Sequence, residues 1–235
     1  MSTLKTDAIE TRAGGTSVLT IGTATQTIKL PGGTPGAGKY LQSDADGDAS
    51  WATVAGFDSI ALLSTQNASS STSINFDNTL ITSTYKTYEI RFFNINSSGD
   101  NDKLQMKFSD DNGSNFDSNH TGTFDSAYAG TSGAGSGYDT NADSVAADHQ
   151  NIVKNTSNDA GHSMGGVVWI HNPTNASYVT TYNFLTSNIT YEAGYLNSVS
   201  YSGGIWNSTA AVDYIRMTMS SGTLVAGTFQ LWGYK

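Results

Sequence analysis

Three groups of side chains in this sequence are of the types that carry chemistry. The first is acidic. Asp44, Asp46 and Asp48 alternate, as the opening ligands of a calcium loop do. Such a loop needs Gly at its sixth position and a bidentate Glu at its twelfth. Here Gly47 falls fourth and Ala55 twelfth, so a polar hairpin turn is expected instead. Asp110-Asp111-Asn112-Gly113 ends in residues that accept positive φ, and a turn is expected there too. The second group is His120, His149, His162 and His171. None has the helical spacing of a metal pair, and none belongs to a Cys/His motif. They read as surface or loop histidines, with a three-histidine site on a trimer axis as the one alternative. No metal ligand is assigned.

The third group is nucleophiles and paired acids. Gly161-His162-Ser163-Met164-Gly165 matches G-x-S-x-G in letters. A nucleophile elbow turns from a strand into a helix, whereas this run continues into the β pattern Gly166-Val167-Val168-Trp169-Ile170. Glu89 and Glu192 are the only glutamates after the first 56 residues. Both read as polar positions on solvated strand faces, not as a glycosidase pair facing one cleft. A solenoid period, as a polysaccharide depolymerase would have, is absent. The expectation is a protein without catalytic residues or cofactors. What remains is aromatic. Tyr128, Tyr138, Tyr195, Tyr201 and Trp206 lie in or beside Gly/Ser/Asn-rich segments. Rings next to amides and carboxylates suit a glycan-binding face or a subunit interface.

The elements that must position these residues are strands. Alternation is clearest in 88–95, 103–108, 214–219 and 228–234, and a period of two sends one set of side chains inward. Strands are expected at 59–65, 85–96, 103–109, 149–155, 164–171, 178–191, 195–201, 212–219 and 224–234. The Gly/Ser/Asp-rich stretch 126–148 reads as a long loop. No convincing helical periodicity appears. The fold class expected is all-β: an extended N-terminal arm with a short hairpin over 1–56, then a jelly-roll-like β-sandwich over 57–235. The first 56 residues hold too few large apolar side chains for a core of their own. Leu4, Ile9, Val18, Leu19, Ile21, Ile28 and Leu30 are the candidates for anchoring this arm to a partner. The Asp-Gly pair between Tyr40-Leu41 and Trp51 marks the hairpin.

Composition narrows the function classes. Charged residues make up 13% and the net charge is −9, with no basic cluster, which disfavours nucleic acid. Cysteine is absent, so there is no disulfide and no thiolate zinc site. No apolar stretch is long enough to span a bilayer, and the first residues do not form a signal peptide. Synthesis in a cytoplasm is expected, without membrane insertion.

Two segments resemble a known group. Thr3 to Arg12, TLKTDAIETR, resembles the start of fibre-like or appendage proteins of marine tailed phages. Gly38 to Trp51 resembles a recurrent phage-fibre segment of the form G-K-x-L-x-S-D-x-x-G-x-x-x-W, and Phe229 to Lys235 is similar to the closing strand of their C-terminal β domains. The resemblance implies a virion protein assembled in the host cytoplasm, commonly a homotrimer, attached through its N-terminal arm to other proteins of tail or capsid. A tail fibre or tail-associated appendage that touches host surface glycan is the expected role. A capsid decoration or head-fibre protein that stabilises the shell is the alternative.

Overall fold

The computed structural model describes residues 20–21, 28–29, 39–43, 49–53, 59–131, 133–191 and 197–235. The chain divides into two units, 1–58 and 59–235. In the first, β1 (Thr20–Ile21) pairs antiparallel with β2 (Ile28–Lys29), bringing Ile21 opposite Ile28. β3 (Lys39–Ser43) pairs with β4 (Ala49–Thr53), with Leu41 opposite Trp51. The two paired strands of the expected hairpin are therefore present, and the Asp-Gly turn with Asp44, Asp46 and Asp48 lies outside the described residues. The other anchoring candidates, Leu4, Ile9, Val18, Leu19 and Leu30, lie outside the described residues.

The second unit is all-β. Its strands are β5 (Ile60–Ser71), β6 (Ser73–Phe76), β7 (Thr87–Ser97), β8 (Leu104–Ser109), β9 (His120–Gly122), β10 (Asp125–Gly130), β11 (Gly133–Tyr138) and β12 (Ser144–Ala147). Then come β13 (Gln150–Val153), β14 (Met164–His171), β15 (Thr180–Ile189), β16 (Asn197–Trp206), β17 (Tyr214–Met219) and β18 (Leu224–Tyr234). One sheet runs β11-β10-β16-β15-β14-β7-β18-β5, with β9 and β12 attached at β16; the other runs β13-β8-β17-β6.

Eight of these strands define the architecture. β5, β18, β7 and β14 lie side by side in the first sheet, and β6, β17, β8 and β13 in the second. Followed along the chain, they have the connectivity of a jelly roll, two interlocked Greek keys. The segments β9–β12 and β15–β16 are insertions that widen the first sheet to ten strands. One core joins the two inner faces: Ile90, Phe92, Val168, Ile170, Phe184, Phe229 and Leu231 from the large sheet, and Phe76, Leu104, Met106, Phe108, Ile152, Ile215 and Met217 from the small one. Phe92 and Phe229 stack within it, centroids 5.7 Å apart.

The stretch 126–148 departs from the expected loop. It forms β11, most of β10 and β12. Its small residues make a hairpin in which backbone pairing, from Asp125 opposite Tyr138 to Gly130 opposite Gly133, replaces side-chain packing. The Asp-Asn-Gly turn is present, with Asn112 at φ +57° and Gly113 at φ +79°. The Asp111 carboxylate is used inside it, accepting from the Ser109 hydroxyl at 2.7 Å and the Asn115 backbone N–H at 2.8 Å.

Candidate functional site

Because side chains alternate across a strand, every second residue of the large sheet points away from the core. Register aligns these outward residues into rows. One row crosses eight strands: Tyr138, Asp125, Tyr201, Leu185, Val167, Arg91, Gln230 and Thr65. Beside it run Asn183, Trp169, Glu89, Trp232 and Leu62, then Thr181, His171, Thr87, Tyr234 and Ile60. Tyr138, Tyr201, Leu185, Ile60 and Leu62 are all exposed. Tyr138 and Tyr201 flank Asp125, and the Tyr138 hydroxyl bonds the Asp143 carboxylate. His171 Nε2 lies 2.8 Å from Asn183 Oδ1.

At the centre of this face sits Glu89, which is buried, where a solvated carboxylate was expected. Aromatic side chains from both neighbouring strands cover it. Its Oε2 accepts from the Trp169 indole N–H at 3.0 Å and the Tyr234 hydroxyl at 2.7 Å, and its Oε1 pairs with Arg91 Nε. The Arg91 guanidinium lies over the Trp232 ring, 5.1 Å from its centroid. Burial pushes the Glu89 carboxyl up, but the bonds from Tyr234, Arg91 and Trp169 outweigh it and hold the pKa below the usual value. A carboxylate kept ionised by three donors is a poor proton donor and a good cross-strand anchor. Glu89→Gln should weaken these charge-assisted bonds and lower stability at neutral pH by about 1 kcal/mol in urea titrations. The folded-state pKa is depressed, so the carboxylate's contribution is complete above its ordinary pKa and fades as pH falls through the lowered one. The Gln variant should lack that part of the acid loss.

The other sequence-derived candidates separate. Tyr138 and Tyr201 share the outer face. Tyr128 is exposed but belongs to the opposite face: it pairs with buried Ser198, and a Cβ on Gly135 would come within 2.6 Å of its hydroxyl. Trp206 is fully buried, so it is a core residue and no ligand contact. Its position on β16 faces His120 and Thr180, under the inserted strands. Tyr195 lies outside the described residues.

His120 also overturns the expectation of surface histidines, because it is fully buried. Its ring packs on Phe108 and Tyr182, at 4.8 Å and 5.6 Å between centroids. The Tyr182 hydroxyl donates to Gln150 Oε1 at 3.0 Å, and His120 Nδ1 is 3.2 Å from the same hydroxyl. The single hydroxyl proton is used on Gln150, so Nδ1 carries the proton it donates to Tyr182. That leaves Nε2 as a bare acceptor, buried without a partner. Burial pushes the imidazole pKa down to about 3. His149 bonds Asp148 and His162 bonds Ser157. Among the described residues, no group of three or more His, Asp or Glu side chains is placed to hold a metal ion.

The aromatic content of the outer face was legible in part. Trp169 and Trp232 have outward parity in otherwise alternating segments, a local signal for rings on the outer face. No protein-family model, curated protein or solved structure matches the chain.

Proposed function

We propose that the chain is a structural protein of a bacteriophage virion: a homotrimeric tail fibre or tail-associated appendage. Its N-terminal region anchors it to other tail proteins, and the jelly roll presents its broad outer sheet face to a host surface glycan. No catalytic step is assigned to it. The observation that carries this reading is the composition of that face. An antiparallel sheet with one solvated face ordinarily turns polar side chains to water. Here Tyr138, Tyr201, Leu185, Leu62 and Ile60 stand exposed, among Asp125, Asn183 and His171 in the same rows. Rings interleaved with amides and carboxylates offer stacking and directional hydrogen bonds together, which is what sugar recognition uses. Jelly rolls recur in viral capsid and lectin domains, an analogy that adds weight without fixing the function.

Capsid decoration is the second reading, and β5 favours it. This edge strand has twelve residues, contains neither charge nor proline, and pairs only with β18 among the described residues. Edges without such blocking residues are open to pairing with another chain, which a protein stapled into a repeating shell would use. Immunogold labelling of intact particles tests both. Gold at the tail is expected. Gold over the head would transfer the chain to the shell, and unlabelled particles would remove it from the virion.

A further inference from the structure

The outer face carries a concave site where β7 is irregular. Between Phe92 and Ile95, two residues of β7, Phe93 and Asn94, stand opposite the single Gly165 of β14. On its other side β7 is out of step with β18 around Gly227. This is a β-bulge, and it reverses the parity of the strand. Tyr88, Ile90 and Phe92 point into the core before it, and Ile95 after it. Phe93 and Asn94 are thereby both turned out to solvent, and Phe93 is 43% exposed.

The bulge is built in from both sides. Gly227 has φ +114°, and a Cβ there would lie 2.6 Å from the Asn94 carbonyl oxygen. Asn94 holds φ +55°, the left-handed conformation that asparagine adopts more readily than most residues with a side chain. The turn before β14 is tied down by Asn96 Nδ2 donating to the His162 carbonyl at 2.9 Å, and by the Ile189 N–H donating to the Ser163 carbonyl at 3.3 Å.

At the bulge lies an open depression of about 290 Å³, lined among others by Phe93, Asn94, Gly165, Ser187, Asn188 and Asn197. No charged side chain lines it. Asn188 borders it only from beneath: it belongs to the inward set of β15, buried like its neighbours Met164 and Ser198, and its amide donates to the Lys154 carbonyl at 3.1 Å. The chemistry of this lining selects a ligand class. Amides and hydroxyls both donate and accept, as a polyhydroxylated ligand requires. The exposed Phe93 ring offers a flat apolar surface for the C–H face of a pyranose. A charged ligand would lose water here with no counter-charge to receive it. A peptide strand would need free backbone groups, and these strands lie within the sheet, paired on both sides.

We infer that the depression at the β7 bulge binds one neutral sugar unit, with Phe93 stacking on its ring and Asn94 and Asn197 bonding its hydroxyls. The inference rests on the reading of the outer face as glycan-binding. Its test uses the purified full-length chain, so a failure leaves the particle location, read from gold labelling, standing.

The experiment is saturation-transfer NMR with methyl hexosides, N-acetylglucosamine, dextran and laminarin, with glucuronate and N-acetylneuraminate as charged controls. The expected result is saturable binding of at least one neutral sugar, with Kd of the order of 1 mM for a free unit. Tighter binding of a polysaccharide than of its free unit would identify a surface glycan as the source, and binding of free units alone a small-molecule ligand. Phe93→Ala should weaken binding at least tenfold. Asn94→Gly should do the same while leaving the melting temperature little changed, because glycine accepts the same positive φ. No binding of any neutral sugar, preference for the charged sugars, or binding indifferent to both substitutions would overturn the inference.

Discussion

Trp206→Ala should lower the unfolding free energy by about 4 kcal/mol, the range for removing a fully buried indole. The side chain is completely enclosed at the end of β16, beside His120 and Thr180 across the ladder. Its indole N–H has no hydrogen-bond partner, so the residue contributes through packed volume alone. Trp206→Phe should therefore cost much less, about 1 kcal/mol, because the lost contacts are partly offset by removing an unsatisfied donor. Urea unfolding of the full chain measures both. The pair of results separates core packing from surface recognition. A Trp206→Ala variant as stable as the parent but defective in cell or glycan binding would return this residue to the binding face.

The second large effect is a loss of stability in mild acid. His120 is enclosed by Phe108 and Tyr182 and has its pKa pushed down to about 3 from an ordinary 6.5. Between those two values the unfolded chain binds a proton that the folded chain refuses. Stability therefore falls as pH drops below the ordinary value. From about pH 7 to about pH 5 this one group removes about 2 kcal/mol. The carboxylates held low by their partners, Glu89, Asp139 and Asp148, add their losses at lower pH than this. His120→Phe keeps a ring against Phe108 and removes the titrating group. Its stability should be nearly flat over the same interval, although its value at neutral pH is expected to be lower. A parent protein equally stable at both pH values would mean that water reaches the imidazole.

How much of this was written in the chain differs from element to element. The strands around Ile90, Met106, Met217 and Leu231 were legible, because alternating large apolar residues leave one choice of inward face. Their order was not. Placing β18 between β5 and β7 depends on pairings between distant segments, which local alternation does not encode. The hairpin β10–β11 was missed because Gly133-Ala134-Gly135-Ser136-Gly137 carries no apolar signal; neighbouring backbone, not side chains, gives it a ladder. The bulge was visible after the fact. In Tyr88-Glu89-Ile90-Arg91-Phe92-Phe93-Asn94-Ile95 the apolar set changes parity at Phe93, and only an inserted residue restores Ile95 to the core.

The candidate site divides along the same line. Tyr138 and Tyr201 stand out by ring type beside small polar residues, and register puts them on one face with Asp125 between them. Trp206 stands out on the same grounds and is buried, because proximity to glycine in sequence says nothing about which side of a strand a residue occupies. Glu89 shows the converse. An acid at a polar position of a strand looks solvated, yet three donors from two neighbouring strands and its own close around it. Burial of this kind is created by tertiary neighbours and has no local signature.

The proposed role as an appendage carried on a virion is tested most directly by copy number. Quantitative mass spectrometry of purified particles, scaled to the major capsid protein, gives the number. A few to a few dozen copies per particle is the predicted result for a trimeric fibre at the tail or a vertex. Hundreds of copies would contradict the appendage reading and make the chain a shell-decorating protein, and none would take it off the particle altogether.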